Sequence, residues 1–305
     1  MFGAQVLAWG DVPNYATLRT PDLPASNETQ IEVAAVGLHH IVRKRALGQH
    51  YSATILPHIP GIDGTGTSID GRDVYFLTLP SGTGSFVERV NVPCADVFEL
   101  PLNSDKVQIA ALVNNAVSSW MALRRRTVAL PRDFTVLILG ATSASGAVAV
   151  PLARSLGAGK VIGCGRNVEK LATLGLDLTV PLLEPITATN FDSLGQVDVI
   201  LDYIYGPATV QLLNSLKPTR HVQYIQIGNV AATDITLSAD TLRSKNITMT
   251  GSGIGSFSPD ELRAEIPGLL NAVQKLPRVK LNVVPLSEVK TVWGQDTSTT
   301  TVFTL

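Results

Sequence analysis

A run in the middle of the chain, Thr135-Val-Leu-Ile-Leu-Gly-Ala-Thr-Ser-Ala-Ser-Gly146, constrains the fold more than any other segment. Its stretch 136–139 is continuously apolar, the pattern of a strand buried on both faces of a parallel sheet. Gly140 opens a tight turn of small residues that Gly146 closes, and 147–156 have helical character up to Gly157. Strand, small-residue turn and helix N-terminus in succession make an anion site, because free N–H groups and the positive end of the helix dipole meet there. The unit begins only after about 135 residues of different texture, so it is internal. That excludes a fold that opens with its nucleotide-binding strand.

The turn reads Gly140-x-x-Ser143-x-x-Gly146, filled by Thr142, Ala144 and Ser145, with Ser143 where a third glycine is more usual. A serine there either narrows the backbone's approach to a phosphate or adds a hydroxyl hydrogen bond. Residues 160–166 form a second apolar strand that ends about 20 residues past Gly146, where the ribose-reading residue belongs. A carboxylate at that point would read an unphosphorylated ribose. The chain instead offers Gly165, Arg166 and Asn167, with Lys170 one turn on. A guanidinium matches a 2′-phosphate in charge and fork geometry, which favours NADP(H). The plainer alternative is a solvated arginine beside a helix start.

The chain has 305 residues, 45% of them hydrophobic, enough for a large core or two domains. With a net charge of −1 there is no electrostatic case for nucleic acid or an anionic membrane. Cys94 and Cys164 stand far apart and imply neither a ligand cluster nor a disulfide framework, as in a reducing compartment. The N-terminal residues lack the basic and apolar regions of a signal peptide, and no apolar run is long enough to span a bilayer. A cytoplasmic location is the expectation.

Residues 1–105 carry short apolar runs at 5–9, 30–36, 73–77 and 86–92, separated by the turn signals Asp63-Gly-Thr-Gly66, Asp70-Gly71 and Ser81-Gly-Thr-Gly84. This is the texture of a small antiparallel β barrel or sandwich. From 107 to 126 the chain is helical. Strands are then expected at 136–139, 160–164, 178–182, 197–203, 222–228 and 247–251, with helices at 147–156, 167–174 and 207–217. Such alternation specifies a doubly wound parallel sheet. A further helix is expected over 259–276, with Pro267 inside it, followed by β-rich texture at 281–286, 288–293 and 299–305. The economical topology is an α/β chain in which a β domain, 1–112 and 258–305, is interrupted by a nucleotide domain, 113–257.

Several segments, in order and spacing, resemble the medium-chain dehydrogenase/reductase superfamily, in its zinc-independent quinone oxidoreductase and enoyl reductase branch. They include Gly37-Leu-His-His-Ile41, Gly48-Gln-His-Tyr51, Pro60-Gly-Ile-Asp-Gly-Thr-Gly66, Ser118-Ser-Trp-Met-Ala-Leu-Arg124, Gln226-Ile-Gly-Asn229 and Gly251-Ser-Gly253. The resemblance implies a GroES-like β-barrel catalytic domain interrupted by a Rossmann domain, and a homodimer. It adds Gly228 and Asn229 to the cofactor-binding residues. It also bears on zinc. Zinc-dependent members carry Cys where His39 stands and His-Glu where Ile62-Asp63 stand, and their third ligand falls near Asn114. One ligand type of three remains, whereas a catalytic zinc needs three protein ligands, so no metal is expected.

Without zinc, the acceptor must be polarised by hydrogen bonding, which suits a conjugated carbonyl. Tyr51 falls where quinone reductases place a cleft tyrosine; its phenol either bonds a substrate carbonyl or packs on a strand. A second family tyrosine falls at Lys44, so the cleft chemistry differs here. His39 and His40 fall near the expected nicotinamide pocket, with a structural role as the alternative for each. Asn114 and Asn115 either reach the cofactor or substrate or cap a helix at 116–126. Trp120 is a pocket wall or core. Arg124-Arg-Arg126 complements a helix C-terminus. The leading function is an NADPH-dependent reductase of an enone, quinone or enoyl small-molecule substrate. Two alternatives are a tailoring enzyme of the same fold acting on a larger natural product, and a non-catalytic protein that retains the fold.

Overall fold

The structure is a computed structural model that describes residues 1–50, 52–295 and 299–305. It divides into two compact units, one built from Met1–Asn114 and Arg263–Leu305, the other from Asn115–Leu262.

The first unit opens with a hairpin of β1 (Phe2–Gln5) and β2 (Asn14–Thr17). The long strand β3 (Glu28–Gly37) and helix α1 (His40–Ala46) follow, then β4 (Asp63–Ser68), β5 (Asp73–Leu77), β6 (Arg89–Pro93) and β7 (Val97–Glu99). The segment Asp63-Gly-Thr-Gly66 is strand and not the turn its glycines suggested. A register shift in β3 between Val33 and Ala35 brings the two backbones close, and a Cβ on Gly66 would stand 2.3 Å from Glu32 O. Helix α2 (Lys106–Arg125) starts on Asp105, whose Oδ1 accepts the amides of Val107 and Gln108. It is one continuous helix, so Asn114 and Asn115 lie in its middle and cap nothing.

In the second unit β8 (Thr135–Leu139), α3 (Ala144–Ser155), β9 (Lys160–Gly165), α4 (Val168–Ala172), β10 (Leu178–Pro181), β11 (Val199–Asp202), α5 (Pro207–Ser215), β12 (Val222–Gln226), α6 (Ala239–Arg243) and β13 (Ile247–Gly251) alternate. All six strands are parallel, in the order β10-β9-β8-β11-β12-β13. This is the doubly wound order whose strand sequence reverses beside β8, the point at which such sheets bind ligands. Val136, Ile138, Val199 and Leu201 pack one face; Leu137, Leu139, Ile200 and Tyr224 pack the other. Both faces are apolar because both are covered, and the strands therefore read as unbroken hydrophobic runs.

Helix α7 (Pro259–Val273) leads back to the first unit, where β14 (Asn282–Pro285), α8 (Val289–Val292) and β15 (Thr301–Thr304) complete the chain. β15 pairs antiparallel with β3, so the C-terminus finishes the seven-stranded sheet that the N-terminal half begins. The expected β texture at 288–293 is a helix instead. Leu286, Val289, Val292 and Trp293 are buried at helical spacing, and that periodicity overrides the β propensity of Val and Thr.

Candidate functional site

The turn after β8 is built by exchange of small groups. Gly140 takes φ +94°, and its amide and that of Ala141 donate to Cys164 O on the neighbouring strand. Gly146 is a contact glycine: a Cβ there would stand 2.3 Å from Gly140 O. Ser143 is the N-cap of α3. Its Oγ accepts the Gly146 amide at 3.0 Å and donates to Gly140 O at 2.8 Å. The helix accordingly begins three residues before the expected 147. Helix N-termini leave their first N–H groups without intrahelical acceptors. Gly146 is served by Ser143, while Ala144 and Ser145 begin the helix with Ala144 exposed. Pro151 sits inside α3 without ending it.

Gly165, at the end of β9, lies against this turn; a Cβ on it would be 2.9 Å from Thr142 Cγ2. Asn167 caps α4, its Oδ1 accepting the Lys170 amide at 2.8 Å. Arg166, between them, is exposed and has no ion-pair or hydrogen-bond partner among the described residues. The structure thus brings Gly140, Thr142–Gly146, Gly165 and Arg166 together at the C-terminal ends of β8 and β9. Ser145 Oγ also donates to Asn115 Oδ1 at 3.3 Å, tying α2 to the turn.

At the other side of β8, Asp202 ends β11 and is fully buried. Its Oδ1 accepts the amides of Ile204 and Tyr205, and its Oδ2 accepts the hydroxyls of Thr209 and Tyr224. Four donors hold the strand-to-helix turn. Gly228 approaches it closely, since a Cβ there would stand 2.3 Å from Tyr203 O. Asn229 is exposed beside it. The Tyr203 phenol receives the Ser118 hydroxyl, and burial pushes its pKa up to about 12. Reading the sequence missed Asp202 and Tyr203; the signal was a lone acid closing an apolar strand. Trp120 is buried with the Arg124 guanidinium 5.7 Å above its ring. Arg126 bonds Gly251 O, Thr250 Oγ1 and Ser256 O, fastening the end of β13.

In the first unit His39 is buried and its Nε2 stands 3.2 Å from Ala110 O. A carbonyl only accepts, so the proton is on Nε2, and burial holds the ring neutral by lowering its pKa. Gly37 makes this possible: any Cβ there would overlap the ring. Asp63 is buried too, with Oδ2 accepting the Tyr75 hydroxyl at 2.8 Å and Oδ1 unpartnered; burial raises its pKa. Ile62 lies in the apolar core. Among the described residues no three His, Cys, Asp or Glu side chains gather as a metal would require. His40 and Lys44 are one turn apart on α1, His40 exposed and Lys44 half-buried. Asn114 is half-buried within α2. Tyr51 lies outside the described residues.

No family model matches the chain. The probable NADPH-dependent quinone reductase tdiC of Emericella nidulans is 36% identical over 97% of both chains. A mycobacterial quinone oxidoreductase superposes over 100% of both chains with a TM-score of 0.84 at 17% identity. The quinone oxidoreductase of Thermus thermophilus, solved also in complex with NADPH, covers 100% of both with a TM-score of 0.79 at 23% identity. The fold is that of the medium-chain dehydrogenases/reductases. The chain belongs to their quinone oxidoreductase-like branch, a family of oxidoreductases.

Proposed function

We propose that this chain is an NADPH-dependent reductase that reduces the conjugated system of an enone, quinone or enoyl substrate without zinc. The turn capped by Ser143, with the unpaired Arg166 about twenty residues on, carries the reading. Gly140, at positive φ, and Gly146, packed on Gly140 O, leave no room for a Cβ and so keep the turn tight at the N-terminus of α3, where a pyrophosphate would meet free N–H groups. In this reading Gly140, Thr142, Ser143, Ala144, Ser145 and Gly146 hold the pyrophosphate. Gly165 leaves room for the ribose, and Arg166, with Asn167 and Lys170 near, binds the 2′-phosphate. Gly228 and Asn229 complete the shelf. The bound cofactor supplies hydride. The relative from E. nidulans supports this cofactor and a quinone acceptor by its own description.

The chain's residues then position the acceptor and deliver a proton. Hydride adds to the β-carbon, and the α-carbon or oxygen takes a proton, so one hydride and one proton complete the reduction, whether an enone becomes a saturated carbonyl or a quinone becomes a hydroquinone. Tyr51 is the proposed hydrogen-bond donor to the acceptor carbonyl, with His39, His40, Lys44, Asn114 and Trp120 as its proposed surroundings. The protein is proposed to be a cytoplasmic homodimer that pairs along β13, the edge strand of the parallel sheet. Among the described residues no helix is long and apolar enough to cross a membrane.

The test is a screen of quinones, 2-alkenals and enoyl thioesters with NADPH, followed by Tyr51→Phe. The expected result is turnover of at least one class, and in Tyr51→Phe a loss of about 10²-fold in kcat and kcat/KM together at unchanged NADPH affinity. Firm NADPH binding with no turnover of any class would defeat the reading.

A further inference from the structure

Between Glu32 and Asp63 the chain carries Arg43, Lys44, Arg45 and four of its five histidines but no acidic residue, although acids and bases nearly balance over the whole chain at a net charge of −1. The fold gathers several of these groups at the end of α1. Lys44 stands one turn from His40 on the helix. Three bonds fold the chain back after it: Leu47 N donates to Arg43 O at 3.0 Å, and Gly48 N to Arg45 O and Gln49 N to Lys44 O, each at 2.9 Å. The turn brings His50 back to the same cations. Burial first, then Lys44 and Arg43, lowers the pKa of His40; burial, then Arg45 and Lys44, lowers that of His50. No acid contributes to either shift, so this end of the helix carries positive charge without a counter-charge.

Arg45 is buried, its Nη1 donates to Gly61 O at 3.1 Å, and its Nε has no acceptor. A buried cation is ordinarily paired, as Arg263 is with Asp96 at 2.8 Å in the same unit. Lys44 is half-buried and makes no hydrogen bond or ion pair to any described residue. The half-buried Lys106, by contrast, reaches Asp73 at 2.6 Å. A cation at a helix C-terminus ordinarily serves the last carbonyls. Here the carbonyls of Arg43, Lys44 and Arg45 already accept the amides of the following turn, so the Lys44 ammonium is not spent on them. An ammonium is a compact point charge and suits a single carboxylate. Beside it the turn exposes Leu47 and Trp9, whose ring lies on Gly48: a Cβ there would stand 2.9 Å from Trp9 Cγ. We propose, resting on the reductase reading, that the acceptor is a carboxylic acid with an apolar body, its carboxylate held by the Lys44 ammonium and its body against Leu47 and Trp9. The buried Arg45 adds to the positive field behind them.

The probes are 4-oxo-4-phenylbutanoate and its amide, which match in shape and differ by one charge. Both are saturated ketones, so the exposed Cys94 cannot add to them. Each is titrated by calorimetry into the protein with and without NADP+. The carboxylate is expected to bind about tenfold more tightly than the amide, and the gap should narrow as salt is added. In Lys44→Met the carboxylate should fall to the amide's affinity, and in Lys44→Arg it should keep its advantage. Both variants should retain the wild-type thermal midpoint, because the ammonium holds nothing in the fold. Failure of the carboxylate to bind, equal affinity of the two probes in the wild type, or an unchanged gap in Lys44→Met would overturn the proposal. So would a marked fall of the thermal midpoint in Lys44→Met, which would make the lysine structural. NADPH affinity is read separately: a wild type that discriminates between the probes but does not bind NADPH sinks the reductase reading and leaves the carboxylate site standing.

Discussion

Ser143 closes the turn after β8 onto Gly146, its Oγ accepting the Gly146 amide at 3.0 Å. The hydroxyl serves the chain itself, and it fixes where α3 begins. Replacing an N-cap serine by alanine costs about 1 kcal/mol, and by glycine a few tenths. Ser143→Ala should therefore lower the unfolding free energy by about 1 kcal/mol in urea titration, and Ser143→Gly by much less. Equal losses in the two variants would show that the cap is not what the serine contributes.

Arg166 carries the cofactor preference in the proposed function. It is exposed and unpaired among the described residues, so its charge is available to a phosphate without first breaking an ion pair. A charge-assisted contact of this kind is worth about 1.5–3 kcal/mol, or roughly ten- to a hundredfold in affinity. Wild type should bind NADPH that much more tightly than NADH by calorimetry, and Arg166→Ala should remove the difference. Equal affinities in the wild type would refute the assignment.

The parallel sheet was legible because burial on both faces leaves strands as unbroken apolar runs, such as 136–139, with Gly or Pro between them. The cofactor turn was legible because glycines at fixed spacing answer to backbone geometry. What escaped was tertiary. The glycines of 63–66 read as a turn because nothing local shows that β4 lies against a register shift in β3. The segment 288–293 read as strand because its β-branched residues conceal a helical spacing. Asp202 takes its backbone donors locally, from Ile204 and Tyr205, but the Tyr224 hydroxyl that completes its burial lies 22 positions away on the neighbouring strand.

Zinc independence follows in the proposed function from Ile62, which is packed in the apolar core where zinc-dependent relatives carry a ligand. Near it, His39 has its Nε2 proton committed to Ala110 O. Activity should survive EDTA, and metal analysis of the purified protein should give no stoichiometric zinc. One zinc per chain, removed together with activity, would reverse this.

The edge strand β13 tests the proposed dimer. Its partner-free side presents backbone donors and acceptors, and a lysine on an edge opposes strand-to-strand pairing. Thr248 is exposed on this strand. The wild type should run as a dimer by light scattering at micromolar concentration, and Thr248→Lys should shift it toward monomer. A wild-type monomer would count against pairing.

His58 gives the fold a pH dependence whose sign is fixed by its surroundings. It is buried beside Trp9, with ring centroids 5.5 Å apart, and its Nε2 has no hydrogen-bond partner. Burial, and then the Arg45 guanidinium, lowers its pKa to about 4. The folded state therefore favours neutral imidazole. The stability this confers is fully present above the ordinary value of 6.5 and is lost as pH falls through about 4. His39 acts in the same direction. Asp63, whose pKa is raised by burial, acts oppositely: its contribution is full at low pH and is lost as pH rises through its folded value. His58→Phe keeps a ring against Trp9 and removes the titrating group. Thermal midpoints should be similar in the two proteins above pH 6.5, and the variant should gain on the wild type as pH falls from 6.5 towards 4. Parallel declines across that interval would show that His58 does not carry the acid sensitivity.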